Sequence, residues 1–490
     1  MFSQRRRLSA SLGLCLCAAS ALTSGCLVKV VTLSSDDGGP RNPAGDASMT
    51  SDAALPPPVD APLPPPVDVP IMPTDVPAPP PVDVPPSGAG SVDLLVVVDN
   101  SFSMTHGQQY LNSYLSNTVG ILFARHGVSD VHLGVVTTDL GTPGSTVPGC
   151  AVSDGGDQGI MNPRVRGPAT LTRAANLPNV ADRIFCTPDV INAPFTTLRA
   201  TDNAMFLVHA PSCHAEVGLG GCGLEQQLEA AYRALVTGAR PGGPNAGFLR
   251  SEATLAILVV SDEDDGSVRD CRYHDGTGAC SDAVDVYNAP SARWASPDLN
   301  LRLYNYTPGS AQDPTWSLDR YVDPARPARG FLGLKPGHPE RVVFGAITGV
   351  PLDVPRRADG GTDWDTLLGP PASGRPDDFI TRNGQSAFID PMNPSGPTSM
   401  RQLDPDPLCS TRMVPACRLR NSAPSTACDV SSQYYAWRAR RIAEVARRFD
   451  QSALCNGQPC RNGMVASICE VGDSTPFATF ADLIARRVTR

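Results

Sequence analysis

Aromatic residues are scarce, at 6% of 490 positions. Chain breakers are not: there are 49 prolines and 44 glycines. A chain so poor in large apolar rings and so rich in breakers cannot pack along its whole length. Positive charge is also short. The formal net charge is −9, and Lys and Arg form no long stripe, which argues against a nucleic-acid partner. There is no H-E-x-x-H, no G-x-S-x-G and no phosphate-binding loop. No nucleophile–base pair stands out either, so the expectation is a binding protein and not an enzyme.

The N-terminus reads as an export signal. Arg5, Arg6 and Arg7 precede an apolar stretch, Leu8 to Leu22, that is too short for a membrane span. Leu22-Thr23-Ser24-Gly25-Cys26 resembles a bacterial lipobox, with Thr23 where that motif prefers Leu. The resemblance implies a signal peptide over 1–25 and lipid on Cys26, which would anchor the protein without spanning the bilayer. The alternative is an ordinary signal peptide with an incidental cysteine. Leu27 is not the Asp that commonly retains lipoproteins in the inner membrane, which points to the outer membrane of the cell envelope.

Residues 26–90 then form a stalk. Pro-Pro-Pro-Val-Asp recurs at 56–60, 64–68 and 79–83. Proline fixes φ and removes a donor, so this stretch is expected to be an extended spacer without a core.

Twelve cysteines run from Cys150 to Cys469, beyond Cys15, Cys17 and Cys26. In an exported chain an even number reads as a disulfide framework. Cys213 with Cys222, and Cys271 with Cys280, are close enough in sequence to close small loops. His214 and His274 lie near these pairs, but no C-x-x-C repeat supports a zinc site.

From residue 91 onward, apolar runs alternate with helical patterns. Strands are expected at Val92–Val98, Val131–Thr138, Leu255–Ser261, Val342–Thr348 and Met464–Cys469. Helices are expected at Met104–Phe123, Leu224–Val236, Tyr434–Phe449 and Pro476–Val488. Continuous Val/Ile/Leu strands between helices predict an α/β fold with a doubly wound, mainly parallel sheet over 91–490. Long disulfide-rich insertions are read at 140–220, 266–340 and 350–430. Such a sheet gathers ligands at the carboxyl ends of its strands, where Asp99, Asp139 and Asp262 fall.

Asp99-Asn100-Ser101-Phe102-Ser103 follows the first strand directly. One carboxylate and two hydroxyls in alternation are hard oxygen ligands, suited to Mg²⁺ or Mn²⁺. The alternative is that Asp99 and Ser101 simply cap the next helix. The spacing D-x-S-x-S after an apolar strand resembles the metal-ion-dependent adhesion site of von Willebrand factor A-type domains. That resemblance implies metal ligands at Asp99, Ser101 and Ser103, with Asp262 as the carboxylate after the central strand. It also implies a Thr where this chain has Cys222, in Gly220-Gly221-Cys222-Gly223. A bonded cysteine is no oxygen ligand, so water or Glu225 takes that place, or the site binds metal weakly or not at all. Asp264 is a further candidate ligand, although Asp262-Glu263-Asp264-Asp265 reads more simply as a solvated acidic loop. The implied function is binding of a protein or polysaccharide through Mg²⁺, or Mn²⁺ or Ca²⁺, at the cell envelope. A metal-free structural subunit of an envelope assembly is the alternative.

Overall fold

A computed structural model describes residues 90–142, 156–163, 192–269, 315–368, 435–470 and 472–488, with a few short pieces and single residues between, among them Cys150, Cys186 and Cys417. The signal peptide, Cys26, the stalk up to residue 89, Cys271 and Cys280 lie outside the described residues.

A six-stranded sheet organises the rest. Its strands are β1 (Ser91–Val98), β2 (Asp130–Thr137), β3 (Phe195–Arg199), β4 (Thr254–Ser261), β5 (Val342–Thr348) and β6 (Gly463–Ser467). Their order is β6-β5-β4-β1-β2-β3, and every pairing is parallel except β2 with β3. Helices are α1 (Thr105–Ala124), α2 (Ala204–Ala215), α3 (Gln227–Tyr232), α4 (Trp364–Leu368), α5 (Arg440–Gln451) and α6 (Thr475–Ala485). Among the described residues, no helix is long and apolar enough to cross a membrane.

The unbroken apolar run of β1 follows from its position. Successive side chains point to opposite faces. Val92, Leu94, Val96 and Val98 join one cluster with Leu111, Leu115, Val119 and Phe477 of α1 and α6. Leu95 and Val97 join another with Leu228 of α3 and with Ile442 and Phe449 of α5. Both faces are covered, so polar alternation would bury unpaired groups. The one polar residue of the run, Asp93, is fully buried and matched: Arg250 Nε donates to it at 2.8 Å and Lys335 Nζ at 3.1 Å.

Several expectations need correction. The stretch 140–220, read as an insertion, supplies part of the central fold: the antiparallel edge strand β3 and the helix α2. The expected helix from Tyr434 starts only at Arg440. Tyr435–Ala436 instead pairs with Cys417–Arg418, and Trp437 N–H donates to the Asp262 carbonyl at 2.7 Å, which holds this entry extended. Part of 266–340 is core: Tyr321, Val322, Phe331 and Leu332 are buried in the second cluster.

The pairing of Cys213 with Cys222 is also wrong. Cys213 bonds Cys186, and Cys222 bonds Cys150. Cys213 sits on α2 in a small cluster with Cys186 and Val190. The chain then leaves the helix and carries Cys222 to the carboxyl edge of the sheet. There Gly221 N–H donates to the Asn100 carbonyl at 2.8 Å. Cys417–Cys469 and Cys455–Cys460 complete the disulfides among the described residues.

Candidate functional site

Chain order reverses direction between β1 and β4. After β1 the chain moves out to β2 and β3; from β4 it moves the other way, through β5 to β6. A crevice outside the carboxyl ends of the two central strands is the usual ligand position in an open α/β sheet. Asp99 and Asp262 leave β1 and β4 at that point. The strands stay in register to the end, with Val98 opposite Val260 and Asp99 N–H donating to the Val260 carbonyl at 3.0 Å.

The first loop folds around Asp99. Its Oδ1 accepts the Ser101 amide at 2.8 Å, and its Oδ2 accepts the Ser261 hydroxyl at 2.7 Å. Gln108 of α1 donates to the Asp99 carbonyl at 3.0 Å and to the Gly218 carbonyl at 2.7 Å, tying this loop to the segment before Cys222. Phe102–Met104 forms a short 3-10 turn. It brings the Ser101 and Ser103 hydroxyls within 2.9 Å of each other, and Ser103 Oγ donates to Asp262 Oδ1 at 3.1 Å. Four of the expected ligand residues therefore form one connected set. The helix-cap alternative is not what these side chains do: the helix-entry caps Ser101 and Met104 make no side-chain capping bond.

Acid groups crowd this set. Burial raises the pKa of the Asp99 carboxyl, against the lowering effect of its hydrogen bonds from Ser261 and Ser101. Asp262 is raised well above the usual range by burial first, then by the charges of Asp99 and Glu225. Glu263 is likewise raised, by burial first and then by the charges of Glu225, Asp262 and Asp99. Glu225, fully buried, thus stands beside Asp262 and Glu263. Buried like charges are costly unless a proton or a cation joins them. Hard oxygens gathered with excess negative charge fit a divalent cation. Asp99, Ser101, Ser103 and Asp262 are the residues that would hold it.

The expected solvated acidic loop is instead buried. Asp262 is 2% exposed, Glu263 9% and Asp265 1%. Asp265 accepts the Leu228 amide at 2.9 Å and Arg441 Nε at 3.0 Å, so it holds α3 and α5 together. Asp264 turns to α5, where its Oδ1 accepts the Arg441 amide at 2.8 Å; burial pushes its pKa up to about 6. The reason is topological: the loop after a central strand runs between helices on one face of the sheet.

Asp139, at the end of β2, accepts the Gly141 amide at 2.8 Å. Its carboxyl lies within 4.8 Å of the sulfurs of Cys150 and Cys222, but these are joined to each other and offer no thiolate. His106 is exposed.

Sequence reasoning passed over two residues. Asn100 is fully buried, and neither side-chain atom has a hydrogen-bond partner among the described residues. A Cβ on Gly221 would meet its Oδ1 at 2.1 Å, so only glycine fits there. Thr138, after β2, is also fully buried with an unpartnered Oγ1. Polar residues at a strand's carboxyl end were the available signal. Compared with known proteins, the chain matches no family model and has no curated relative of significant similarity.

Proposed function

We propose that this chain is a cell-envelope lipoprotein whose von Willebrand factor A-type domain binds a protein or polysaccharide partner through a divalent-metal site. One observation carries the reading: Ser103 of the first loop meets Asp262 of the β4 loop at 3.1 Å, within a cluster of buried carboxyls. A bound Mg²⁺, Mn²⁺ or Ca²⁺ would supply an exchangeable coordination position for a partner's acidic group. The protein's own residues do the rest. Asp99 is held rigid by Ser261 and the Ser101 amide. Ser103 is exposed at the rim, beside Phe102, which is 83% exposed. This is recognition and not turnover. Anchoring rests on the sequence around Cys26, and the outer membrane is the proposed location.

The second reading is a metal-free structural subunit of an envelope assembly. It is favoured by Cys222, which stands at the Thr position of the resembled family and is bonded to Cys150. Calorimetric titration of the chelator-stripped protein with Mg²⁺, Mn²⁺ and Ca²⁺ decides between the two. Saturable binding, lost in Asp99→Asn, together with EDTA-sensitive capture of a partner from envelope extracts, supports the first. No response to any of the three cations leaves the second.

A further inference from the structure

Away from the acidic edge, the fold has a basic cavity of about 580 Å³. Its walls are the helical turn after α3 up to Arg240, Leu249 just ahead of β4, and the segment from Asp319 to Leu334. Four arginines line it: Arg240, Arg320, Arg326 and Arg329. On a chain of net charge −9, such a gathering runs against the composition.

Internal pairing accounts for part of this charge. Arg320 donates through Nε and Nη2 to Glu229 at 2.8 and 3.0 Å, and Nη1 takes no part in that fork. Its guanidinium is also clamped between the Tyr232 and Trp316 rings, 3.9 and 4.1 Å from their centroids. It is therefore fixed before any ligand arrives. Arg326 pairs with Asp323 at 2.5 Å. Asp319, the one acidic residue of the lining, accepts Arg448 Nη1 at 2.7 Å. Arg240 and Arg329 remain. Both are exposed, and neither side chain has a hydrogen bond or ion pair among the described residues.

The wall is built, not a loose loop. Phe331 is fully buried, and its amide donates to the Tyr321 carbonyl at 2.8 Å. Gly330 has φ +57°, and a Cβ there would strike the same carbonyl at 2.4 Å. Leu235, Leu249 and Leu334 add apolar surface between the charges. The volume lies within the range of small-molecule sites. Guanidinium groups present paired donors matched to carboxylate and phosphate oxygens.

We propose that this cavity binds a small organic dianion, with carboxylate or phosphate groups set on Arg240, Arg320 and Arg329. The inference is independent of the metal site. It is tested by titrating inorganic phosphate and, separately, succinate into the chelator-stripped full chain at constant ionic strength, followed by calorimetry and thermal melts. Saturable binding of either, weakened about tenfold or more by Arg240→Glu with Arg329→Glu, is expected. Preference for phosphate or for succinate tells a phosphate ester from a carboxylated ligand. Both substitutions are on exposed side chains, so the metal-free melting temperature of the double variant checks the fold. Asp99→Asn must leave this anion binding unchanged. No saturable binding of either anion, or equal binding by the charge-reversed variant, overturns the proposal.

Discussion

Ser103 and Asp262 are 159 positions apart in sequence, yet their side chains meet at 3.1 Å across the reversal point of the sheet. The contact joins the loop of β1 to the loop of β4. It predicts that Asp262→Asn loses any response to divalent cations. Parent protein in Mg²⁺ at 10–100 times Kd should gain roughly 1.4–2.7 kcal/mol by mass action, and the variant nothing. Without metal the variant should be at least as stable, because one buried carboxyl among like charges has been neutralised. Melts with and without Mg²⁺ measure both. A variant that still gains stability from Mg²⁺ would remove Asp262 from the ligand set.

Cys222 gives a second test. Replacing the pair as Cys150→Ser with Cys222→Thr restores a hydroxyl beside the first loop. It also opens a disulfide of sequence separation 72, at a cost of about 2–5 kcal/mol. Cation affinity should rise by about tenfold, equivalent to about 1.4 kcal/mol, while the melting temperature falls. Unchanged affinity would show that the residue at 222 does not reach the cation.

Asp93 should be far more costly to alter than a strand residue of its size suggests. Asp93→Ala leaves Lys335, 2% exposed, without its carboxylate, and destabilisation of about 3–5 kcal/mol is expected in urea unfolding. If the loss is under about 1 kcal/mol, the buried pair has no structural weight.

His132 makes stability sensitive to mild acid. Burial, and then the Arg250 charge, lowers its pKa below 6.5, against smaller raising effects from the Phe248 carbonyl, Asp93 and Asp130. The folded state thus favours the neutral ring. Its contribution is complete above about pH 6.5 and declines as pH falls through the folded value. Urea midpoints measured between pH 7 and 5 should fall for the parent and less steeply for His132→Gln. Parallel slopes would assign the acid sensitivity elsewhere.

Much of the sheet was legible because its strands are buried on both faces, which turns them into plain apolar runs such as Val92–Val98 and Leu255–Ser261. The edge strand β3 was not. Phe195–Arg199 has Thr196 and Thr197 in five residues, and three of the five are not buried, so no run marks it. That Asp99, Ser101, Ser103 and Asp262 gather at one edge of the sheet could be read, because each follows a strand end or a fixed spacing. The partners of Cys213 and Cys222 could not, since closeness in sequence says nothing about which side of a helix a sulfur faces. Nor could burial of Asp262, Glu263 and Asp265: four acids in a row look solvated until the helices flanking the loop are known.

Lys335 reaches from the long connection between β4 and β5 to a carboxylate inside β1, and Tyr321 and Phe331 fill the core on the way. That connection therefore cannot be trimmed like an ornament. A recombinant fragment that shortens 266–340 to a tight turn would leave Asp93 with Arg250 as its remaining basic partner and uncover the α3 face. Length variation in this chain should instead be tolerated up to the point where residues 315–341 can still fold back on the sheet, which sets the smallest piece of this protein worth expressing.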